Sequence, residues 1–253
     1  MKVITWNVNG IRARQAQVGE LIESEQPDVL CLQEIKATPA QVPELLVNQG
    51  DYWSYWHGAG GYSGVALLIR RTFAPVAPTF WHPDFDFETR IVVADAQANL
   101  GPIRFVSVYV PNGGKDFEAK MRFYGAMRQW LAETNDPAAA LVLCGDINVA
   151  REERDVHPKE RKPNQIGTRP EERELFAQML TTGLTDVGRT VDPDNDELFT
   201  WWAPWRNLRQ RNIGWRIDYV LASAPVAGKA ATCESRRVFG TSDHAPVIAT
   251  FLP

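Results

Sequence analysis

Cysteine is scarce in this chain, with three in 253 residues. The number is odd and no two stand at a metal-binding spacing, which excludes a disulfide framework and a cysteine-ligated zinc fold. Cys31 and Cys144 fall inside apolar strands, where a reduced thiol behaves as a small hydrophobe. No apolar run approaches the length of a membrane span. The start, Met1-Lys2-Val3-Ile4-Thr5-Trp6, enters a strand directly, without the basic and apolar regions of a secretory signal. A reducing, cytoplasmic setting without membrane contact is therefore expected. Basic excess is also missing: the net charge is -4, which argues against a protein that coats nucleic acid by bulk electrostatics. There is no Ser/Gly tract, low-complexity run or block of like charge to act as a linker, so residues 1–253 are expected to form one domain.

What is present is an ordinary globular composition, 44% hydrophobic and 23% charged, long enough for a sizeable core. Short β-type runs are predicted at Val3–Trp6, Val29–Leu32, Val65–Ile69, Ile91–Ala94, Ile103–Val110, Leu141–Cys144, Ile217–Ala222 and Pro246–Phe251. Helical periodicity is clearest over Phe117–Leu131, with Met121, Tyr124, Met127, Trp130 and Leu131 on one face. A second helix is predicted from Pro170, with Glu171 and Glu172 in its first turn, to Leu180 before Gly183. Shorter helices are expected over Arg12–Ser24 and Pro43–Asn48. Several strands are apolar throughout, the mark of sheets covered on both faces, and the helices between them define an α/β layered sandwich. Residues 151–168 and 190–214 are long polar connections of the kind that carry binding. Two segments are locally basic, His157–Lys162 and Arg206–Arg216. The run Lys2–Asn7 echoes Leu141–Asp146, too short a match to establish a duplication.

Four apolar strands break at polar residues: Trp6-Asn7-Val8-Asn9-Gly10, Leu32-Gln33-Glu34, Gly145-Asp146-Ile147-Asn148 and Ser242-Asp243-His244. Singly, each has an ordinary explanation: Glu34 as an exposed strand end, Asp146 and Asn148 as an Asx turn, His244 as a structural histidine. Asp218 is different, because a carboxylate within Ile217-Asp218-Tyr219-Val220-Leu221 needs a cation or donor beside it. Asp243 and His244 point to opposite faces of a regular strand and so have separate tasks. Together these groups supply what metal-assisted phosphodiester hydrolysis requires. Oxygen ligands without sulfur suit Mg²⁺ or Mn²⁺, a carboxylate can activate water, and donors can meet charge on the phosphate oxygens. A serine triad is the rival for an Asp-His pair, but no serine sits on a Gly-x-Ser-x-Gly elbow.

In order along the chain, Trp6-Asn7-Val8-Asn9-Gly10, Leu32-Gln33-Glu34-Ile35-Lys36, Gly61-Tyr62-Ser63-Gly64-Val65 and Tyr109-Val110-Pro111-Asn112 precede Gly145-Asp146-Ile147-Asn148. Gly214-Trp215-Arg216-Ile217-Asp218-Tyr219 and Ser242-Asp243-His244-Ala245-Pro246 follow it. The set resembles the exonuclease III class of apurinic/apyrimidinic (AP) endonucleases, within the wider DNase I-like phosphodiesterases. The resemblance implies a four-layer α/β sandwich, two mixed β-sheets packed face to face and flanked by helices. It implies a DNA-repair nuclease that cuts the phosphodiester 5′ to an abasic site, with 3′→5′ exonuclease and 3′-phosphatase activity. By the same resemblance the metal side draws on Asn7, Glu34, Asp146, Asn148, Asp243 and His244. Asp146 would align or deprotonate water, and Asn148 would polarise the phosphate. His244 would donate to a phosphate oxygen with Asp218 holding its tautomer, and Tyr109 would contact the phosphate as phenol or phenolate.

The implied partner is duplex DNA carrying abasic sites or 3′ ends, bound by a monomer. Trp215 and Trp201 match positions that wall a pocket for a base-less sugar; the plain alternative is core tryptophan. Arg12, Tyr62, Arg90 and Asn112 match backbone-contacting positions, which are phosphate-directed and sequence-blind. Lys115 follows the Asn112-Gly113-Gly114 turn and would approach the duplex. Two alternatives stand beside this reading: a same-fold phosphodiesterase acting on RNA, a lipid or a phosphorylated small molecule, and a catalytically inactive damage-binding module. The basic, Trp-bearing loop before Asp218 opposes the first, and the intact carboxylate set opposes the second.

Overall fold

Strands that are apolar on both faces need cover on both faces, and the chain supplies it with two sheets packed on each other and helices outside. The computed structural model describes residues 1–253 apart from 135 and 137. Its strands are β1 (Lys2–Asn7), β2 (Val29–Gln33), β3 (Tyr52–His57), β4 (Val65–Arg70), β5 (Thr79–Trp81), β6 (Ile91–Ala98) and β7 (Gly101–Tyr109). They continue with β8 (Ala140–Asp146), β9 (Leu184–Asp186), β10 (Asp218–Ser223), β11 (Ala230–Ser235) and β12 (Val247–Phe251). The helices are α1 (Ile11–Glu25), α2 (Glu44–Val47), α3 (Phe117–Thr134), α4 (Pro170–Leu180), α5 (Val187–Val191) and α6 (Ala224–Ala227). None of the described helices is long and apolar enough to cross a membrane.

One sheet runs β11-β12-β1-β2-β4-β3 and the other β5-β6-β7-β8-β10-β9. Between them lies a core that includes Val29, Leu67, Phe105, Val142 and Val220, together with Cys31, Cys144 and Cys233 as buried free thiols. Outside the first sheet, Val18, Leu21 and Ile22 of α1 and Leu46 of α2 pack on Ile4, Leu30 and Leu68. Outside the second, Phe123, Tyr124 and Met127 of α3 and Phe176 and Met179 of α4 cover Val106, Leu143 and Tyr219. This is the predicted four-layer sandwich. Each fully buried aliphatic or aromatic side chain contributes roughly 1.5–3 kcal/mol, so three such layers dominate the stability.

The two sheets have the same internal plan. In each, a parallel pair is flanked by antiparallel neighbours: β12-β1-β2-β4 in one, β6-β7-β8-β10 in the other. By position β1 corresponds to β7 and β2 to β8, so the echo between the sequences of β1 and β8 joins strands that are not equivalent. The parallel pairs matter for function because their carboxyl ends open at the same end of the sandwich. Gln33 bridges the layers there, accepting from Thr5 Oγ1 at 3.2 Å and donating to Ser107 Oγ at 3.2 Å. At Gly145 (φ 152°) a Cβ would lie 1.9 Å from the Val108 carbonyl oxygen, so only glycine lets β8 close on β7 just before Asp146.

Helix α3 corrects one expectation. Lys120 is fully buried on its inner face, whereas Met121 is only partly covered. The reason is electrostatic: Lys120 Nζ pairs with buried Glu172 and donates to the Asn148 carbonyl at 2.8 Å and the Asn112 carbonyl at 3.3 Å. Breaking one side of such a pair costs about 3–5 kcal/mol. The Phe117–Thr134 helix thus supports the Asn148 loop as well as the core.

Candidate active site

The carboxyl ends of β1, β2, β7 and β8 deliver Asn7, Glu34, Tyr109 and Asp146 to one cleft. The loops behind them are laced by backbone hydrogen bonds: Val8 to Gln33, Gly10 to Glu34 and Ile11 to Ile35, with Ile35 and Lys36 donating to Gly64 and Ser63. That lacing explains the Gly61-Tyr62-Ser63-Gly64 motif, whose carbonyls receive the Glu34 turn. It also holds Asn9, Glu34, Lys36 and Ser63 in the left-handed region, φ 45–52°, as is Asn148 at φ 55°. Non-glycine residues in such positions gather where the surrounding structure over-determines them, commonly at sites of chemistry.

Asn7 clamps the two metal-side carboxylates. Its amide nitrogen donates to Glu34 Oε1 and to Asp146 Oδ2, each at 2.9 Å. Its amide oxygen accepts the Asn9 N–H at 3.0 Å, which fixes the orientation. Asn7 is therefore a donor to the carboxylates here, in place of the oxygen ligand the resemblance implied. Glu34 Oε2 meets Lys36 Nζ at 2.7 Å. Burial raises the Glu34 carboxyl, but hydrogen bonds from Asn7 and Lys36 outweigh it, leaving the group below the ordinary carboxylate range.

Asp146 lies opposite Asp218 in the β8–β10 register. Its Oδ1 accepts the Asn148 N–H at 2.9 Å, and its Oδ2 stands 3.8 Å from His244 Nε2. Burial, with Asp218 and Glu34 nearby, pushes its carboxyl up to about 8 against the pull of His244. His244 Nδ1 lies 2.9 Å from Asp218 Oδ2, and Thr200 Oγ1 donates to that same oxygen at 2.6 Å. Burial lowers the imidazole, but Asp218 and then Asp146 raise it further, to about 10. Asp218 beside Nδ1 thus favours the cationic imidazole, with Nδ1 facing Asp218 and Nε2 on the Asp146 side of the cleft.

Glu34, Asp146 and His244 present ligand-type atoms within 4.8 Å of one another. With His244 protonated, the oxygens of Glu34 and Asp146 are the ones fitted to a hard divalent ion, which takes carboxylates and water. A carboxyl whose ionisation is resisted by neighbouring carboxylates is relieved by a cation, so the donor set fits. One consequence is measurable. Adding Mg²⁺ to the metal-free chain at pH 7 is expected to release a proton from Asp146. Calorimetric titrations in buffers of different ionisation enthalpy will show it, and an apparent enthalpy independent of buffer would sink the idea.

Asp243 stands apart from that group. Asn9 Nδ2 donates to its Oδ1 at 2.8 Å and Trp201 Nε1 to its Oδ2 at 3.0 Å, so both oxygens are already engaged by the loops, and it does not join the three as a ligand. Asn148 is similarly occupied: its Nδ2 donates to the Val110 carbonyl at 2.8 Å, and its Oδ1 accepts from Asn112 at 3.3 Å. Burial, reinforced by Glu34 and Asp146, pushes the Tyr109 phenol well above the ordinary value, which favours the neutral phenol over the phenolate.

The substrate-side residues divide into two groups. Arg12, Tyr62, Asn112 and Lys115 are exposed, as a groove surface requires. Arg90 is 1% exposed; its guanidinium donates to Tyr62 Oη at 2.9 Å and lies over the Tyr109 ring at 4.8 Å. It positions those rings instead of projecting to solvent. Trp201 is partly exposed beside His244, 6.4 Å between ring centroids. Trp215 is buried behind it, ring against ring at 85°, in a small apolar cluster with Ala150, Val156 and Ile217. The open aromatic wall is therefore Trp201, with Trp215 as its backing. In the basic segment 206–216, Arg216 is buried against Asp186 and Asp155, and Arg209 donates to the Arg237 and Phe239 carbonyls. Of the arginines in that segment, Arg206 and Arg211 are the exposed ones. The side chains that sequence reading missed are Asn9, Lys36, Thr200 and the Lys120–Glu172 pair. Only Lys120 left a signal, as a lysine on the apolar stripe of a helix.

Water-activating and phosphate-facing groups at one mouth of a DNase I-like sandwich define a hydrolytic phosphoesterase. The chain belongs to the endonuclease/exonuclease/phosphatase family, whose sequence pattern matches residues 4–244. It is 36% identical to the DNA repair nuclease APEX1 of Danio rerio, over 98% of this chain and 81% of that protein. It is 34% identical to an exodeoxyribonuclease of Bacillus subtilis, over 98% of each. An AP endonuclease from Archaeoglobus fulgidus has the same fold, with a TM-score of 0.88 and 28% identity over 99% of both chains.

Proposed function

We propose that this chain is an exonuclease III-type DNA-repair nuclease that hydrolyses the phosphodiester 5′ to an abasic site in duplex DNA, acts at 3′ ends, and works as a monomer with Mg²⁺ or Mn²⁺. The observation that carries the reading is the Asp146–His244 pair, 3.8 Å apart, with Asp218 behind the imidazole and Glu34 beside the carboxylate. A base and an acid so placed can act on the attacking water and on an oxygen of the same phosphate. Glu34 and Asp146 would hold the ion, which when bound would supply Lewis-acid stabilisation of the phosphoryl oxygens.

The chain's own groups do the rest. Asp146 orients water and takes its proton as the oxygen attacks phosphorus. His244 donates through Nε2 to a non-bridging oxygen, and Tyr109 donates as a neutral phenol. The bond between phosphorus and the 3′ oxygen breaks, and the departing oxygen takes a proton from solvent water, leaving a 3′ hydroxyl and a 5′ sugar-phosphate. Trp201 stands beside this centre as a wall for a sugar turned out of the helix. Turning out costs least where the base is already gone, which selects damage without reading sequence. Arg12, Tyr62, Asn112 and Lys115 offer the backbone-directed contacts.

The test is a time course on two labelled duplexes, one abasic and one with a recessed normal 3′ end. Incision on the 5′ side that needs Mg²⁺ or Mn²⁺ and stops with EDTA is the expected result. Cutting that persists in EDTA, or that leaves a 3′ unsaturated aldehyde, would show lyase chemistry and overturn the proposal. The ratio of rates on the two duplexes measures which activity dominates.

A further inference from the structure

A second cluster of ligand-type side chains lies outside the cleft. His57 closes β3, His82 directly follows β5, and Asp86 stands four residues further on. Their ligand atoms fall within 4.8 Å of one another. His57 Nε2 is 2.6 Å from Asp86 Oδ2, and the two imidazoles stack with centroids 4.6 Å apart. The other Asp86 oxygen accepts the N–H groups of Arg90 at 2.7 Å and Ile91 at 3.2 Å. The carboxylate is thereby fixed from behind, with Oδ2 facing the rings. His57 and Asp86 are largely covered, whereas His82 is exposed and leaves a path from solvent. Two of the chain's four histidines meet here, and phosphodiester hydrolysis uses neither.

We propose that His57, His82 and Asp86 form a binding site for a metal ion of the borderline class typified by Zn²⁺. Two imidazole nitrogens and one carboxylate oxygen suit Zn²⁺, Co²⁺ or Ni²⁺, while the oxygen-rich cleft suits a hard ion. Donors around a tetrahedral ion, with bonds of about 2.0–2.1 Å, stand roughly 3.4 Å apart. Reaching that spacing takes a rotation of the exposed His82 ring and a widening of the 2.6 Å contact between His57 Nε2 and Asp86 Oδ2. The ion takes the place of the proton between His57 Nε2 and Asp86 Oδ2, and water completes the shell. Because Asp86 also holds the Arg90 backbone, the ion stiffens the segment whose guanidinium supports Tyr62 and Tyr109.

Equilibrium dialysis of the full chain against Zn²⁺ in excess Mg²⁺, read by atomic emission, tests the site. Wild type and Glu34→Gln should each retain one zinc that His82→Ala loses or binds at least about tenfold more weakly, since even outer ligands change affinity that much. Metal-free His82→Ala should melt with the wild type, because His82 is exposed. Hydrogen exchange over residues 83–92 should slow with Zn²⁺ in the wild type and not in His82→Ala. Unchanged zinc affinity in His82→Ala, or loss of all zinc binding in Glu34→Gln, would overturn the assignment.

Discussion

Asp146→Asn is expected to lower kcat on abasic duplex DNA by about 10²- to 10⁴-fold, the range lost with a positioned general base, while DNA affinity changes far less. The substitution keeps the shape and the acceptor for the Asn148 N–H but removes the proton acceptor. It also sets an amide against the donating amide of Asn7, which now contacts Oδ2 at 2.9 Å. A kcat within tenfold of the wild type would remove Asp146 from the mechanism. Stability should move the other way. The Asp146 carboxyl is held up at about 8 in the fold, against about 3.9 in an unfolded chain. The folded state therefore binds the extra proton between those values, and metal-free stability from this group falls as pH rises from about 4 towards 8. Asparagine has no such titration. The melting temperature of metal-free Asp146→Asn should thus gain on the wild type with rising pH over that window, and Mg²⁺ should narrow the gap. A difference independent of pH would mean that Asp146 is already ionised in the metal-free fold.

The residues in that argument differ in how far sequence alone reveals them. The eight predicted strands are all present because β1, β2, β4, β6, β7, β8, β10 and β12 are central and carry long apolar runs. The strands missed, β3, β5, β9 and β11, stand at the sheet margins. There one side is unpaired, the run is short or half exposed, and Tyr52–His57 mixes aromatic with polar groups. Asp218 announced itself as a carboxylate in an apolar strand. Glu34, Asp146 and His244 did so as polar breaks at strand mouths. Their partners did not, since Thr200, Asn9 and Lys36 acquire meaning only once distant loops are laced together. Protonation is further from the sequence still. The neutral phenol of Tyr109 and the raised carboxyl of Asp146 follow from burial among other carboxylates, which no spacing encodes. Arg90, Arg216 and Trp215 show the converse: residue types that fit a nucleic-acid surface are spent on holding it in shape.

His244→Asn should cost about 10²- to 10³-fold in kcat, the loss found when one donor to a developing oxyanion is removed. The more discriminating variant is Asp218→Asn, because Asp218 touches the imidazole and not the substrate. Its carboxylate is the largest influence holding His244 in the cationic form, up at about 10. In the wild type the falling limb of the kcat profile should accordingly lie near that pH. With asparagine at 218 the Nδ1–H loses its charged acceptor and burial acts less opposed, so the limb should move to lower pH. The deficit should then be modest at pH 6 and grow through pH 9. A purely structural defect would lower kcat by the same factor at every pH. Thr200 now donates to Asp218 Oδ2 at 2.6 Å and can still donate to the amide oxygen of the variant, so the fold tolerates the change. In the double variant with His244→Asn the Asp218 substitution should add little, since the group it acts through is gone. Independent, multiplicative losses would separate the two residues and leave the imidazole without its acid role.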